Sequence, residues 1–543
     1  MKTHFSVTVV AIFAAAAMAA AQSIHAAHPA VSIPKGAATL RSTLPSAQDA
    51  KVLLNDTPRC RDWVAVPMGS SIVLAFVVYP IRADKAPVVL VTAPRDGTNA
   101  WVRAVSDQVA AEGFIAIAPD LLTNMGPHHG DSESFATPEA LADAVRRMGP
   151  AEISRRMNAV REYARTLSAA NGISASLELD SRTSKINVDV AALPSGSAAS
   201  PRTANFPAVF PMTGAGWSDA LGYLDRETNN HPVAETSGLT SNDEHAGHMG
   251  MDMGMDMGQH IGMTMAMAQG GSKSPPASST SSASGPPISF SEKQPNLPAA
   301  YYTALSTLNK SKLRKEWVDI PVGDVKLHTW VEYPAGEGKA GVVIVMQFGT
   351  GMDEWVRAVA DQLAQEGFIA VAPDLWSGTG PNGGGRDSFE FVDDAMKAGA
   401  KISADEAQRR YKIAREWALK LPRANGKTGS IGFCAGGGNS FRFAGEVPEL
   451  NAAVVFYGTP PDPPVMAKIK APVMGFYGEN DARVTSTVAP TITAMEKLGK
   501  VYEPHIYPKT THSFLYFQDM AGNPAAVNDA WPRTVAFLKK NLN

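Results

Sequence analysis

Apolar and polar positions along the chain follow two alternating rhythms. Continuous apolar runs such as VVIVM (342–346), AAVVFYG (452–458) and APVMGFYG (471–478) carry the pattern of strands buried on both faces. Trp355, Val359, Leu363 and Ala364 recur at helical spacing, and Gly367 follows where a glycine commonly closes a helix. FIAVAP (368–373) supplies the next buried strand. Strands alternating with helices predict an α/β fold, with a mainly parallel sheet flanked by helices.

The pattern is written twice. WVRAVSDQVAAEGFIAIAPDL (101–121) returns 254 positions later as WVRAVADQLAQEGFIAVAPDL (355–375), with four differences. At the same offset REYARTLSAANG (161–172) returns as REWALKLPRANG (415–426). The copies then diverge, and ELDSR (178–182) faces GFCAG (432–436). Similarity resumes between WSDALGYL (217–224) and WPRTVAFL (531–538), now at an offset of 314. The first copy therefore lacks about sixty residues where its later strands would lie. The expected organisation is a truncated, non-catalytic copy over 50–226, a linker over 227–300 and a complete copy over 301–543, with the two copies packed on each other. The linker is rich in Ser, Pro, Gly and Met, including SKSPPASSTSSASGPP. Such a composition buries too little apolar surface to offset ordering entropy, which predicts flexibility.

Charge and composition remove several classes of function. Lys and Arg number 49 against 52 Asp and Glu in 543 residues, with no basic block, so nothing points to nucleic acid. The chain opens MKTHFSVTVVAIFAAAAMAAAQ, a lysine before a short apolar stretch that ends in small residues. Residues 1–21 read as a signal peptide cleaved after Ala21, and the mature protein is expected to be periplasmic or secreted, without a membrane anchor.

The candidate chemistry centres on one of two cysteines. Cys434 lies in SIGFCAGGG (430–438), directly after an apolar run. It is either a small core residue or a nucleophile. Gly432-Phe433-Cys434-Ala435-Gly436 is the cysteine form of the strand–turn–helix elbow G-x-S-x-G. The following helix N-terminus favours thiolate, and the N–H of Ala435 would face a developing oxyanion. Asp481 and then His512 follow, each just past a buried strand. That is the chain order nucleophile, acid, histidine of the α/β-hydrolases. The other cysteine, Cys60, is distant in sequence. A bridge to it would consume Cys434, whose surroundings point to another use.

GFCAGG, GENDARV (478–484), TTHSF (510–514) and EGFIAVAPDLW (366–376) together resemble the dienelactone hydrolase family over roughly residues 310–543. The resemblance implies hydrolysis of a small ester or lactone by a Cys434–His512–Asp481 triad, with no cofactor or metal required. It also implies a second oxyanion donor on the backbone at Phe348 or Gly349. Here the chain departs from the family, since Phe348 stands where a glutamate usually touches the resting thiol. Arg386, in GGGRDSF, is the candidate for binding a substrate carboxylate.

The linker also carries HAGHMGMDMGMDMGQHIGMTMAM (245–267). Thioethers and imidazoles suit copper, so copper binding by this tract is a second reading. Two rival functions stay open: a copper-binding or other binding protein on a hydrolase scaffold, and an esterase for other acyl or polymeric esters.

Overall fold

The computed structural model describes residues 44–192, 208–229 and 293–543. The expected signal peptide, most of the expected linker and the Met/His tract lie outside the described residues. The described chain contains two sheets. The first runs β1 (Arg61–Met68), β2 (Ser71–Val78), β3 (Ala86–Thr92), β4 (Ile115–Asp120), β5 (Ala170–Asp180), β6 (Lys185–Ala192) and β7 (Ala208–Pro211), in spatial order β1-β2-β4-β3-β5-β6-β7. The second comprises β8 (Lys315–Val322), β9 (Val325–Glu332), β10 (Ala340–Met346), β11 (Ile369–Pro373), β12 (Ala424–Phe433), β13 (Ala452–Phe456), β14 (Val473–Asn480) and β15 (Tyr502–Thr511). Its order is β8-β9-β11-β10-β12-β13-β14-β15.

The first five strands of each sheet share one topology, and the duplication extends to register. Ala86 pairs with Ala170, and Ala340 with Ala424. Val88 then pairs with Ser174, and Val342 with Thr428, so both ladders slip at the same step. The matching helices start alike. Asn99 Oδ1 accepts from Val102 N and Asp353 Oδ1 from Val356 N, each at 3.0 Å, and each satisfies a helix-start donor. Gly367, at φ 101°, takes the left-handed turn after Glu354–Gln365, as its spacing predicts.

Beyond the fifth strand the architectures separate. In the second sheet β12, β13, β14 and β15 continue in parallel. In the first, β5 turns back into β6, Asp180 opposite Lys185, and β7 adds antiparallel to β6. The expectation of a mainly parallel sheet is thus corrected for the first copy, where parallel pairing survives only at β4–β3–β5. A strand returned by a tight turn pairs antiparallel, because parallel pairing needs a long crossover, and the missing residues would have supplied it.

The linker expected over 227–300 is shorter at both ends. The helix Gly214–Asn229 runs past its start. At its end Leu297, Ala299 and Ala300 are buried, with Trp355 Nε1 donating to Ala299 O at 2.9 Å and Gln518 Nε2 to Pro298 O at 3.1 Å. The apolar side of the Glu354–Gln365 helix therefore has a partner strand of chain to hold.

The two copies meet across a buried ionic seam. Lys397 of the second reaches Glu133 at 2.8 Å and Asp131 at 2.9 Å in the first. Arg103, fully buried, reaches Glu133 at 3.0 Å and Asp393 at 2.5 Å. Burial of such charges is tolerated because they are paired. No helix among the described residues is long and apolar enough to cross a membrane.

Candidate active site

β12 stops at Phe433, Cys434 adopts φ 54° and ψ −116°, and the helix Ala435–Glu446 starts at the next residue. This backbone is costly for a residue with a side chain. It is held by Cys434 N donating to Phe456 O and by Gly438 N donating to Cys434 O, both at 3.1 Å. A Cβ on Gly432 would fall 1.9 Å from Gly436 O, and one on Gly436 would fall 2.3 Å from the carbonyl oxygens of Met346 and Gln347. Glycines at both places let the strand, the helix and the end of β10 approach. Ala435 opens the helix, so its N–H is one of those a helix leaves without an internal partner.

Asp481 follows β14 and His512 follows β15; both are buried. His512 Nδ1 lies 2.5 Å from Asp481 Oδ2. The ligand atoms of Cys434, His512 and Cys60 lie within 4.8 Å of one another. The structure thus brings the three sequence-predicted triad residues together. Phe348 and Gly349 line the same cleft, and a Cβ on Gly349 would lie 3.9 Å from Cys434 Sγ. The Phe348 ring stacks on Tyr516 at 5.3 Å and forms an apolar wall.

Arg386 is not among the cleft-lining residues. Its Nε donates to Thr350 O at 2.9 Å and its backbone N to Asp374 Oδ2 at 2.7 Å. Through these bonds Arg386 supports the loop after β10, beside the cleft and not in its lining.

Sequence reasoning missed the residues that close the site. Arg483, two positions after the acid, directs Nη2 at Cys434 Sγ (3.7 Å) and at His512 Nε2 (3.4 Å). Its other face lies over Tyr79 of the first copy, 5.1 Å from the ring centroid. Ser168 Oγ donates to Arg483 O at 2.8 Å, and Ala482 N donates to Arg82 O at 3.0 Å. The first copy therefore braces the loop that carries the acid. It also roofs the cleft, whose volume is about 40 Å³, with Arg59, Cys60 and Arg61. Cys60 Sγ lies 3.9 Å from Cys434 Sγ. Arg59 is tied to Asp107, whereas buried Arg61 keeps an Nε without a hydrogen bond.

The electrostatics divide the two sulfurs. The Cys434 thiol is held well below the usual range, first by its hydrogen bond with Cys60, against burial, then by His512 and Arg483. Cys60 is pushed well up by that same hydrogen bond and by burial. Arg483 acts on both sulfurs, and the charge is favoured on Cys434 because the helix N-terminus and His512 face it. Burial disfavours the His512 cation, but Asp481 and Cys434 outweigh it and lift its pKa to about 9. Asp62 of the first copy is pushed up to about 6 by burial and by the Cys434 charge.

Among the described residues, Cys60, Cys434 and His512 form the group with metal-ligand spacing. The Arg483 guanidinium already lies against the sulfur and the imidazole nitrogen that a metal would need. A fixed cation there opposes a second one.

The first copy keeps a cavity of about 290 Å³ at the carboxyl ends of its parallel strands, bordered by Asp120, Ser132 and Glu178. Where the second copy has Cys434, it has Asp180, which accepts hydrogen bonds from Arg182 N and Thr183 Oγ inside the turn to β6.

The complete sheet and its strand–cysteine–helix elbow define an α/β-hydrolase. The dienelactone hydrolase family profile matches residues 73–173 and 327–542, and the chain belongs to that family of hydrolases. Protein usf of Aquifex pyrophilus is 32% identical over 238 residues, 42% of this chain and 99% of that protein. A protein of Saccharolobus solfataricus, provisionally named a carboxymethylenebutenolidase, is 29% identical over 228 residues, 36% of this chain and 88% of its own length. The crystal structure of a dienelactone hydrolase from Anabaena variabilis is 22% identical, with a TM-score of 0.35, over 43% of this chain and 100% of that one.

Proposed function

We propose that the second copy hydrolyses small carboxylic esters or lactones through a Cys434–His512–Asp481 triad, and that the chain does so after export, as its first 21 residues suggest. The observation that carries the reading is a strained elbow presenting Cys434 to a histidine that is itself held 2.5 Å from a buried carboxylate. Cys434 thiolate attacks the carbonyl carbon. The N–H groups of Ala435 and of Phe348 or Gly349 receive the oxyanion. His512, protonated at rest, gives its proton to the departing alkoxide and then takes one from water as the thioester is hydrolysed. Asp481 fixes the imidazole tautomer and stabilises its cation. No step calls on a metal.

Arg61 narrows the substrate class. A buried guanidinium with a free donor at the cleft favours an ester that carries its own anionic group, because charge-assisted hydrogen bonds are the stronger ones. Mixing the protein with a short aryl ester and quenching early tests the chemistry. An acyl group on the Cys434 peptide, with burst release of the phenol, is expected. Turnover of esters and lactones without acylation of Cys434 would refute the assignment.

A further inference from the structure

The chain has two cysteines in 543 residues, 374 positions apart, and the fold brings their sulfurs to 3.9 Å. We infer that Cys60 and Cys434 form an oxidisable pair, in which a disulfide between the copies withdraws the nucleophile and a thiol reductant returns it. This rests on the reading of Cys434 as nucleophile given above.

Three observations carry it. First, the pair is asymmetric in the way thiol–disulfide exchange requires. Cys434 faces the Arg483 guanidinium at 3.7 Å, which favours the attacking thiolate, while Cys60 keeps its proton. Second, both sulfurs border the same cleft, and Cys60 is only half-buried. Third, a disulfide needs about 2.05 Å between sulfurs, and the remaining gap is within reach of a side-chain rotation. Cys434 is fixed by the elbow. Cys60 is half-buried, and the structure ties it through its carbonyl, which accepts from Tyr79 N at 2.9 Å.

The oxidant is a small disulfide. Cys434 thiolate attacks one of its sulfurs and expels a thiolate, leaving a mixed disulfide on Cys434. The Cys60 sulfur then attacks Cys434 Sγ, expels the second thiolate and gives it its proton. The first thiolate released takes the proton held by His512, so the cysteine pair loses two electrons and the oxidant becomes two thiols. The oxidised pair leaves no sulfur nucleophile beside His512. An extracytoplasmic location, proposed above, is where such oxidants persist.

The test treats the reduced full-length protein with hydroxyethyl disulfide, and follows hydrolysis and intact mass together. A product that has lost two hydrogens, a linked Cys60–Cys434 peptide in the non-reducing digest, and at least about a tenfold loss of activity reversed by dithiothreitol are expected. The Cys60→Ser variant should stop at the mixed disulfide on Cys434. Wild-type protein that also stops there, without the linked peptide, overturns the pair. A linked peptide with full hydrolysis would leave the pair intact and overturn Cys434 as nucleophile, so the two failures are told apart.

Discussion

The two copies share five strands in the same order, and even the same slip of register between the third and fifth. They differ in what the fifth strand does next. In the second copy it ends at a left-handed cysteine and becomes a helix. In the first it runs on to Asp180 and turns back on itself. Glu178 and Arg182 occupy the places of Gly432 and Gly436, where an added Cβ would strike backbone. A scaffold can therefore be duplicated almost exactly in its strands and still lose its reaction centre, because the elbow depends on two absent side chains as much as on one present sulfur.

Replacing Cys434 removes the difference most completely. Cys434→Ala should lower kcat/KM for a short aryl ester by at least about 10³-fold while the circular dichroism spectrum stays unchanged. Retained turnover would place the chemistry elsewhere. Gly432→Ala makes the second elbow more like the first. Its Cβ would fall 1.9 Å from Gly436 O, so the sulfur must move, and a loss of about 10²-fold in kcat is expected for a displacement near 1 Å. A crystal structure of that variant would show the shift.

Arg483→Met tests the cation that the second site holds against its sulfur. Losing a charged hydrogen bond of about 1.5–3 kcal/mol should cost roughly tenfold or more in kcat/KM. The rate of Cys434 alkylation by iodoacetamide should then rise only at higher pH than in the wild type. The wild-type profile has a second limb. His512 keeps its proton up to about 9, so kcat/KM should hold through neutral pH and fall as that proton is lost near pH 9. A fall near the ordinary imidazole value would contradict the ion pair. Arg61→Leu removes a group supplied by the first copy. KM for an ester with an added carboxylate should rise about tenfold, the scale of one charge-assisted bond, while a neutral ester changes little; equal effects on both would remove Arg61 from recognition. The smallest effect belongs to Asp180→Cys placed in the Cys434→Ala background. It should restore no hydrolysis, since a sulfur in the β5–β6 turn has neither elbow nor histidine; any recovery would mean the first copy is more complete than its sheet implies.

Much of this was legible from local rules. Buried strands announce themselves as unbroken apolar runs, and the elbow as glycines around Cys434. Asp481 and His512 could be found because α/β sheets gather chemistry at strand ends. What stayed hidden was tertiary. Nothing near TPRCRDW in the chain says that Cys60 and Arg61 will lie over a site centred 374 residues away. Arg483 stood in plain view beside the acid, but direction of a long side chain is set by Tyr79 beneath it, which belongs to the other copy. Arg386 shows the opposite case. It is near the cleft in sequence pattern, yet the carbonyl of Thr350 claims its guanidinium. The turn from β5 to β6 was foreseen only as missing residues, because a deletion tells what is absent and not how the remaining edge is repaired.

The roof over Cys434 belongs to the same polypeptide as Cys434. Its encounter with Cys434 is an intramolecular event, governed by an effective concentration that the fold sets. Dilution therefore leaves the cover in place, whereas a cover borne by a separate subunit would dissociate. Each molecule carries a complete cleft, and its response to oxidant should be the same at nanomolar as at micromolar protein.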